Sequence, residues 1–248
     1  MAFGLRWSGT AAFLFTEVRL QIHDLLALST ATLVQAVLVV FVAVLAPDLL
    51  AFALVGAMAY SAFLIGQRLL NEAAYLRIDQ RLNELYHASP MSPEAYFVGM
   101  ATGMLVAYAP TVLVFVPLVQ LVHPLGPLEW GVIAAVVLAV WVVSSALGYV
   151  ISTLFKDMKT IWPYSSLLTN LLGIVPPVFY PIGLLPADVH VIALLVPTSA
   201  ATAIAAHVAG LEPISGDALA LAGAALSLQA VVLLFVGIYW ARRSAREA

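Results

Sequence analysis

The cationic side chains of this chain can all be placed on one side of a membrane, and that asymmetry limits the fold more than any other feature. Six hydrophobic crossings put Arg6, Arg19, Arg68, Arg77, Arg81, Lys156, Lys159, Arg242, Arg243 and Arg246 on one face, while the other receives only Asp48, Glu129, Asp188, Glu212 and Asp217. Positive residues in short loops resist translocation and so mark the cytoplasmic side. The pattern predicts an all-α, polytopic protein of the plasma or cytoplasmic membrane with both termini in the cytoplasm. Composition agrees: 63% of the 248 residues are hydrophobic and 9% charged, whereas a soluble domain carries about 25% charged residues. Spans and short loops use up the length, so no separate soluble catalytic domain is expected. Met1 to Asp24 carries Arg6, Glu17, Arg19 and Asp24 in place of a short apolar core, and so does not read as a cleavable signal peptide.

A crossing helix needs about 20 mostly apolar residues. Span one is expected over 25–46, closed by Pro47-Asp48, and span two over 49–71, with Arg68 near enough to its inner end to snorkel. Residues 72–93 form the longest polar stretch. Span three is expected over 94–122, span four over 130–155, span five over 160–180 and span six over 218–241, with 242–248 as a basic tail. Residues 181–211 could pass for a seventh span, but that would carry the tail across and destroy the charge asymmetry. They are read as two short helices dipping into the outer leaflet, a broken geometry tolerated where protein or water surrounds it. Residues 1–24 mix Phe3, Trp7, Phe13 and Phe15 with charges, as in a helix lying in the inner interface.

Enzymatic chemistry finds little foothold. The chain lacks HExxH, a Gly-x-Ser-x-Gly elbow, paired acidic residues within a span and a GxxxxGK[ST] phosphate loop. It has no cysteine, which excludes disulfides and thiol-ligated metals. His190 and His207 read as outer-interface residues. No catalytic residue, metal site or cofactor of its own is expected. Ten cations against eight carboxylates on the cationic face, with five carboxylates opposite, give the net charge of −3; so weak a surplus does not fit nucleic-acid binding. No charged residue other than Arg68 approaches mid-membrane, which weighs against ion-coupled transport. Energy would then come from a partner docking on the cytoplasmic face.

The loop over 72–87 suits such docking. Tyr75, Ile78, Leu82 and Leu85 recur at helical spacing, with Arg77, Arg81 and Glu84 opposite. Ser92 is a good N-cap, Pro93 fits the first helical position and Glu94 suits the positive helix end. In the spans, Gly99-x-x-x-Gly103 and Ser144-x-x-x-Gly148 permit close helix approach. The larger polar side chains Gln35, Tyr60, Tyr108, Gln120, Thr169, Asn170 and Gln229 either bond between helices or line a substrate path. Tyr60, Thr169 and above all Asn170 are the candidates for the path.

The order of elements resembles the type-2 permease family of ABC exporters. Glu84-Leu85-Tyr86-His87-Ala88-Ser89-Pro90-Met91-Ser92 is similar to the family's inner motif, a Glu-Leu core followed by a small residue, Pro and a Val/Met-Ser pair. Phe179-Tyr180-Pro181-Ile182-Gly183-Leu184-Leu185-Pro186, with Pro197-Thr198 beyond, resembles its outer pattern. The resemblance implies a half-transporter that pairs with a second copy or a sister permease and with separate ABC ATPase subunits holding ATP and Mg. It implies that residues 77–90 form the coupling helix, with Arg77, Arg81, Glu84, Leu85, His87, Ser89 and Pro90 at the ATPase. Pro177, Tyr180, Pro181, Pro186 and Pro197 would shape the outer re-entrant pair, and spans two and five would flank the path. The expected function is export of a small molecule, drug, lipid or glycan. A gradient-driven or facilitative carrier, or a membrane scaffold, are the alternatives.

Overall fold

The structure, a computed structural model, describes residues 25–80 and 92–247 together with positions 11, 14, 15, 18 and 19. Most of the expected interfacial helix over 1–24 and of the coupling segment, 81–91, therefore lies outside the described residues. About 85% of the described residues are helical, and none of them is in a strand. Among the described residues four helices are long and apolar enough to cross a membrane, or five segments if a bent pair is counted as one. This is a multi-pass membrane protein.

Proline and small residues set the element boundaries. Helix α1 covers Leu25–Leu45, and Pro47 opens a 3-10 turn, Pro47–Leu49, that reverses the chain into α2, Leu50–Ile78. Helix α3, Pro93–Leu113, starts where expected: the Ser92 hydroxyl accepts from Ala95 N at 3.3 Å, with Pro93 in the first turn and Glu94 beside it. A break at Val114 leads into α4, Phe115–Val122. Helix α5, Pro127–Ser152, begins at Pro127 rather than Trp130, because Pro needs no helical donor at the first position.

Expected span five takes another form. Helix α6 covers only Met158–Thr169, capped by Asp157, and passes into a π-helical turn, Asn170–Ile174. Pro176 and Pro177 lack backbone donors and end it there, so this segment falls short of a full-length span. Next come the 3-10 turns Ile182–Leu184 and Ala187–Val189, α7 at His190–Leu194 and α8 at Pro197–Val208. The helical segments on either side of the 195–196 break, Ala187–Leu194 and Pro197–Val208, turn through 104°. Side chains satisfy the freed backbone: Gln229 Nε2 donates to Leu195 O at 2.7 Å, and the Thr198 hydroxyl to Leu172 O at 2.5 Å. Helix α9, Gly216–Glu247, carries the expected last span and continues through the basic tail.

Helix α2 is the axis of the bundle, touching α1, α3, α4, α5, α6 and α8. Of its most apolar window 83% is buried, against 11% for α9. The α2–α5 contact is backbone to backbone. A Cβ on Gly66 would meet Ser144 Oγ at 2.0 Å and Ser145 N at 2.6 Å, and one on Gly148 would meet Gly66 O at 3.1 Å. The expected Ser144-x-x-x-Gly148 pair is thus the surface on which Gly66 rests. Gly99 and Gly103 are both buried on α3.

Candidate functional site

Opposite the α5 contact, α2 borders a cavity of about 400 Å³ walled by α1, α2, α3 and α6. The lining side chains follow helical spacing: Tyr60, Leu64, Gln67, Arg68, Asn71 and Glu72 on α2, Met104 and Tyr108 on α3, Trp162, Ser165 and Thr169 on α6, and Val34 on α1. An apolar helix has thus gathered its polar residues into one stripe. Arg68 stands ten positions before Ile78, which puts it roughly 15 Å from that end of α2.

The α2–α6 wall is a hydrogen-bonded lattice. Gln67 Nε2 donates to Ser165 O at 2.5 Å and Ser165 Oγ at 3.2 Å, Asn71 Nδ2 donates to Ser165 Oγ at 3.0 Å, and the Thr169 hydroxyl donates to Gln67 Oε1. Thr169 Oγ1 also donates to Ser165 O at 2.9 Å, within its own helix. Asn71 Oδ1 is buried without a partner. Across the cavity, Arg68 Nη1 donates to Tyr108 Oη at 3.1 Å and the guanidinium carbon lies 4.2 Å from the Tyr108 ring centroid, a cation–π geometry. Tyr60, 1% exposed, packs edge-on to Phe179 at 5.5 Å. Gly173 of the π turn leaves room for it, since a Cβ there would come within 2.6 Å of Tyr60 Cε2.

The path candidates separate accordingly. Tyr60 and Thr169 line the cavity; Asn170 opens the π turn, is exposed and is not part of the lining. Among the other polar side chains, Gln35 accepts from Ser61 Oγ at 2.5 Å, and Gln120 Oε1 accepts from Leu125 N and Trp130 Nε1, both at 3.1 Å. Arg68, expected to snorkel, instead faces the cavity. The stripe Tyr60, Leu64, Gln67, Arg68, Asn71 was visible in the sequence as i, i+4, i+7, i+8, i+11 spacing. What the sequence does not show is which helices face it.

Arg77 belongs to a different setting. Its Nη2 donates to Ser152 O at 2.5 Å and Phe155 O at 2.7 Å, and its Nη1 to Thr153 O at 3.3 Å. It caps the carbonyl end of α5, where a cation also meets the negative end of the helix dipole. Helix α2 runs unbroken to Ile78 rather than stopping at Asn71, and Arg77, expected at the ATPase, is tucked against the end of α5. Arg81, Glu84, Leu85, His87, Ser89 and Pro90 lie outside the described residues.

The same end of the bundle holds Trp240, which donates from Nε1 to Thr153 Oγ1 at 2.7 Å, and Arg242, 3.3 Å from Glu94. There too Asp157 caps α6, and its bonds from the Thr160 hydroxyl and amide hold its carboxyl below the ordinary range. At the opposite end, Pro177 is buried, Tyr180 donates to Val175 O at 2.9 Å, Pro181 and Pro186 precede the two 3-10 turns, and Pro197 opens α8. Buried Glu212 accepts from Gly183 N at 3.0 Å and ties those turns to the end of α8. His123, His190 and His207 each bond to backbone. Among the described residues no group of three or more His, Asp or Glu could hold a metal ion. No protein-family model matches the chain, and no curated protein matches it.

Proposed function

We propose that the chain is the membrane-spanning permease subunit of an ATP-driven ABC exporter of the type-2 kind, working with separate ATPase subunits and a second permease. One observation carries the reading: the cavity holding the half-buried Arg68 is walled by α2 and α6, the two segments that the resemblance puts beside the substrate path. In this reading α1, α2, α3–α4, α5, α6 with its π turn, and α9 are the six crossings, and α7–α8 is the outer re-entrant pair. The end bearing Arg77, Lys156, Lys159 and Arg242 faces the cytoplasm, as charge asymmetry requires. Residues 77–90 pass force from the ATPase to α2, which has the cavity on one side and the α5 contact on the other. ATP binding shifts the permease between two states whose affinities for substrate differ.

The test is ATP-dependent accumulation in inverted vesicles, together with co-purification of an ATPase. Reversing charge at Arg81 and Glu84 together should release that ATPase and leave membrane insertion unchanged; unchanged co-purification contradicts the coupling assignment. A gradient-driven or facilitative carrier is the second reading, favoured by Arg68 and Glu72 both lining the cavity. Substrate movement by the chain alone in ATP-free vesicles would establish it over the first.

A further inference from the structure

The loop between α5 and α6 presents a basic and aromatic surface at one end of the bundle. Lys156 and Lys159 are both exposed and stand on either side of the start of α6. Asp157, between them, commits its carboxylate to that helix start, accepting from the Thr160 amide and hydroxyl, both at 2.8 Å. Helix α9 brings further positive charge to the same corner. Trp240 Nε1 donates to Thr153 Oγ1 at 2.7 Å, three residues before Lys156, and the Arg243 guanidinium carbon lies 5.3 Å from the Trp240 ring centroid. Arg242, with its side chain 58% exposed, is paired with Glu94 at 3.3 Å.

Apolar side chains continue from this charge along α6. Lys159, Pro163 and Leu167 recur at i, i+4 and i+8 and are all exposed, which makes them one outward stripe. Trp162, 61% exposed, flanks the stripe, and the half-exposed Tyr164 packs on Phe155 with ring centroids 5.0 Å apart. Such rings collect at headgroup level, because each joins an apolar body to a polar N–H or O–H. The opposite face of α6, carrying Ile161 and Ser165, is buried, and Ser165 is bonded to Gln67 of α2. The outward stripe is therefore left to the surroundings of the bundle.

We propose that this corner binds an anionic glycerophospholipid of the leaflet on the cationic side, its phosphate on Lys156 and Lys159 and one acyl chain along Pro163 and Leu167. A lysine ammonium is a compact point charge that holds a phosphate without demanding one geometry. A zwitterionic head would set its own cation beside the lysines and so gain less. The stripe runs from the charged loop into the apolar part of the bundle, a course that an acyl chain can follow and a soluble partner cannot. The proposal needs only the membrane placement of the chain and does not rest on the exporter reading.

The experiment is tryptophan quenching of the full chain reconstituted in phosphatidylcholine vesicles. Phosphatidylglycerol or phosphatidylcholine with acyl chains brominated near the glycerol is added, and the part of the quenching that Trp162→Phe removes reports lipid at α6. At low salt the phosphatidylglycerol should associate at least about fivefold more strongly than the phosphatidylcholine, since each cation near a leaflet adds roughly that factor. The preference should shrink in about 1 M salt, where screening acts within about 3 Å. Lys156→Gln with Lys159→Gln should bring it to within about twofold of parity, whereas Lys156→Arg with Lys159→Arg should keep it. Either single Gln change should lower it in part, which carries the test if the paired variant is not recovered folded. Equal quenching by the two lipids, a preference that survives the Gln changes, or quenching that Trp162→Phe leaves whole would overturn the proposal. Competition by millimolar glycerol 3-phosphate would overturn it as well, by showing a site for free phosphate. A preference kept in the paired Gln variant while a co-purifying ATPase is lost would make the corner a protein dock instead.

Discussion

The two sides of α2 answer the same problem, polar groups in an apolar bundle, in opposite ways. Gly66 and Arg77 are eleven positions apart, about 20° around the helix, and both face α5. There the backbones touch and the guanidinium is spent on the carbonyls of Ser152, Thr153 and Phe155. Arg68 stands nine positions before Arg77, about half a turn away in projection, and lies over Tyr108 at the wall of a cavity. One arginine closes a helix end and the other lines a recess. The closed side should therefore govern stability, and the open side binding.

Substitutions should separate the two sides in a fixed order. Gly66→Val, which puts three carbons where a single Cβ already lies 2.6 Å from Ser145 N, is expected to destabilise by about 3 kcal/mol or more and to cut the yield of monodisperse protein. Arg77→Ala should cost about 2–3 kcal/mol through lost charge-assisted bonds, read as a lowered thermal midpoint in detergent. Arg68→Gln, by contrast, should move that midpoint by less than the Arg77 change while altering ligand preference. A larger loss of stability at Arg68 than at Arg77 would break the distinction. Thr169→Val removes one donor to Gln67 and should cost about 1 kcal/mol.

The smallest effect concerns the cap of α6. The Asp157 carboxyl is depressed by its bonds from Thr160, so its contribution is present above the ordinary carboxylate range and fades as pH falls through the lowered value. Thr160→Val should bring the Asp157 titration up toward the ordinary range, as followed by carboxyl NMR. An unchanged titration would show that the Thr160 hydroxyl does not hold it.

Much of this layout was legible because it depends on local chemistry. Pro47 turns the chain, Ser92-Pro93-Glu94 starts α3, and Ser144-x-x-x-Gly148 marks a close approach. Tyr60 and Thr169 stood out as polar side chains in apolar stretches, and both reached the cavity. What failed to show depends on partners distant in the chain. Glu72 and Arg77 look like the start of an interfacial helix until the α5 carbonyls accept from Arg77. Asn170 opens the π turn on the exposed side, away from this cavity, and its spacing alone does not show that. Hydropathy alone does not tell α2 from α9, with means of 2.1 and 2.4 over their spans, although one is surrounded by protein and the other is mostly uncovered. Gly66, Gln67, Arg68 and Asn71, packed into a few residues of α2, carry that information.

The chain has no cysteine, so a single introduced thiol reports without background. Asn71 lines the cavity, and its neighbour Leu70, 0% exposed, faces Gly148. The two differ in depth by about 1.5 Å. Maleimide reacts with the thiolate and therefore needs water. Asn71→Cys, half-buried on the cavity wall, should label in folded protein faster than Leu70→Cys, which stays unlabelled until the protein unfolds. Equal labelling at both positions, or an inert Asn71→Cys, would contradict an open, wettable face on this helix.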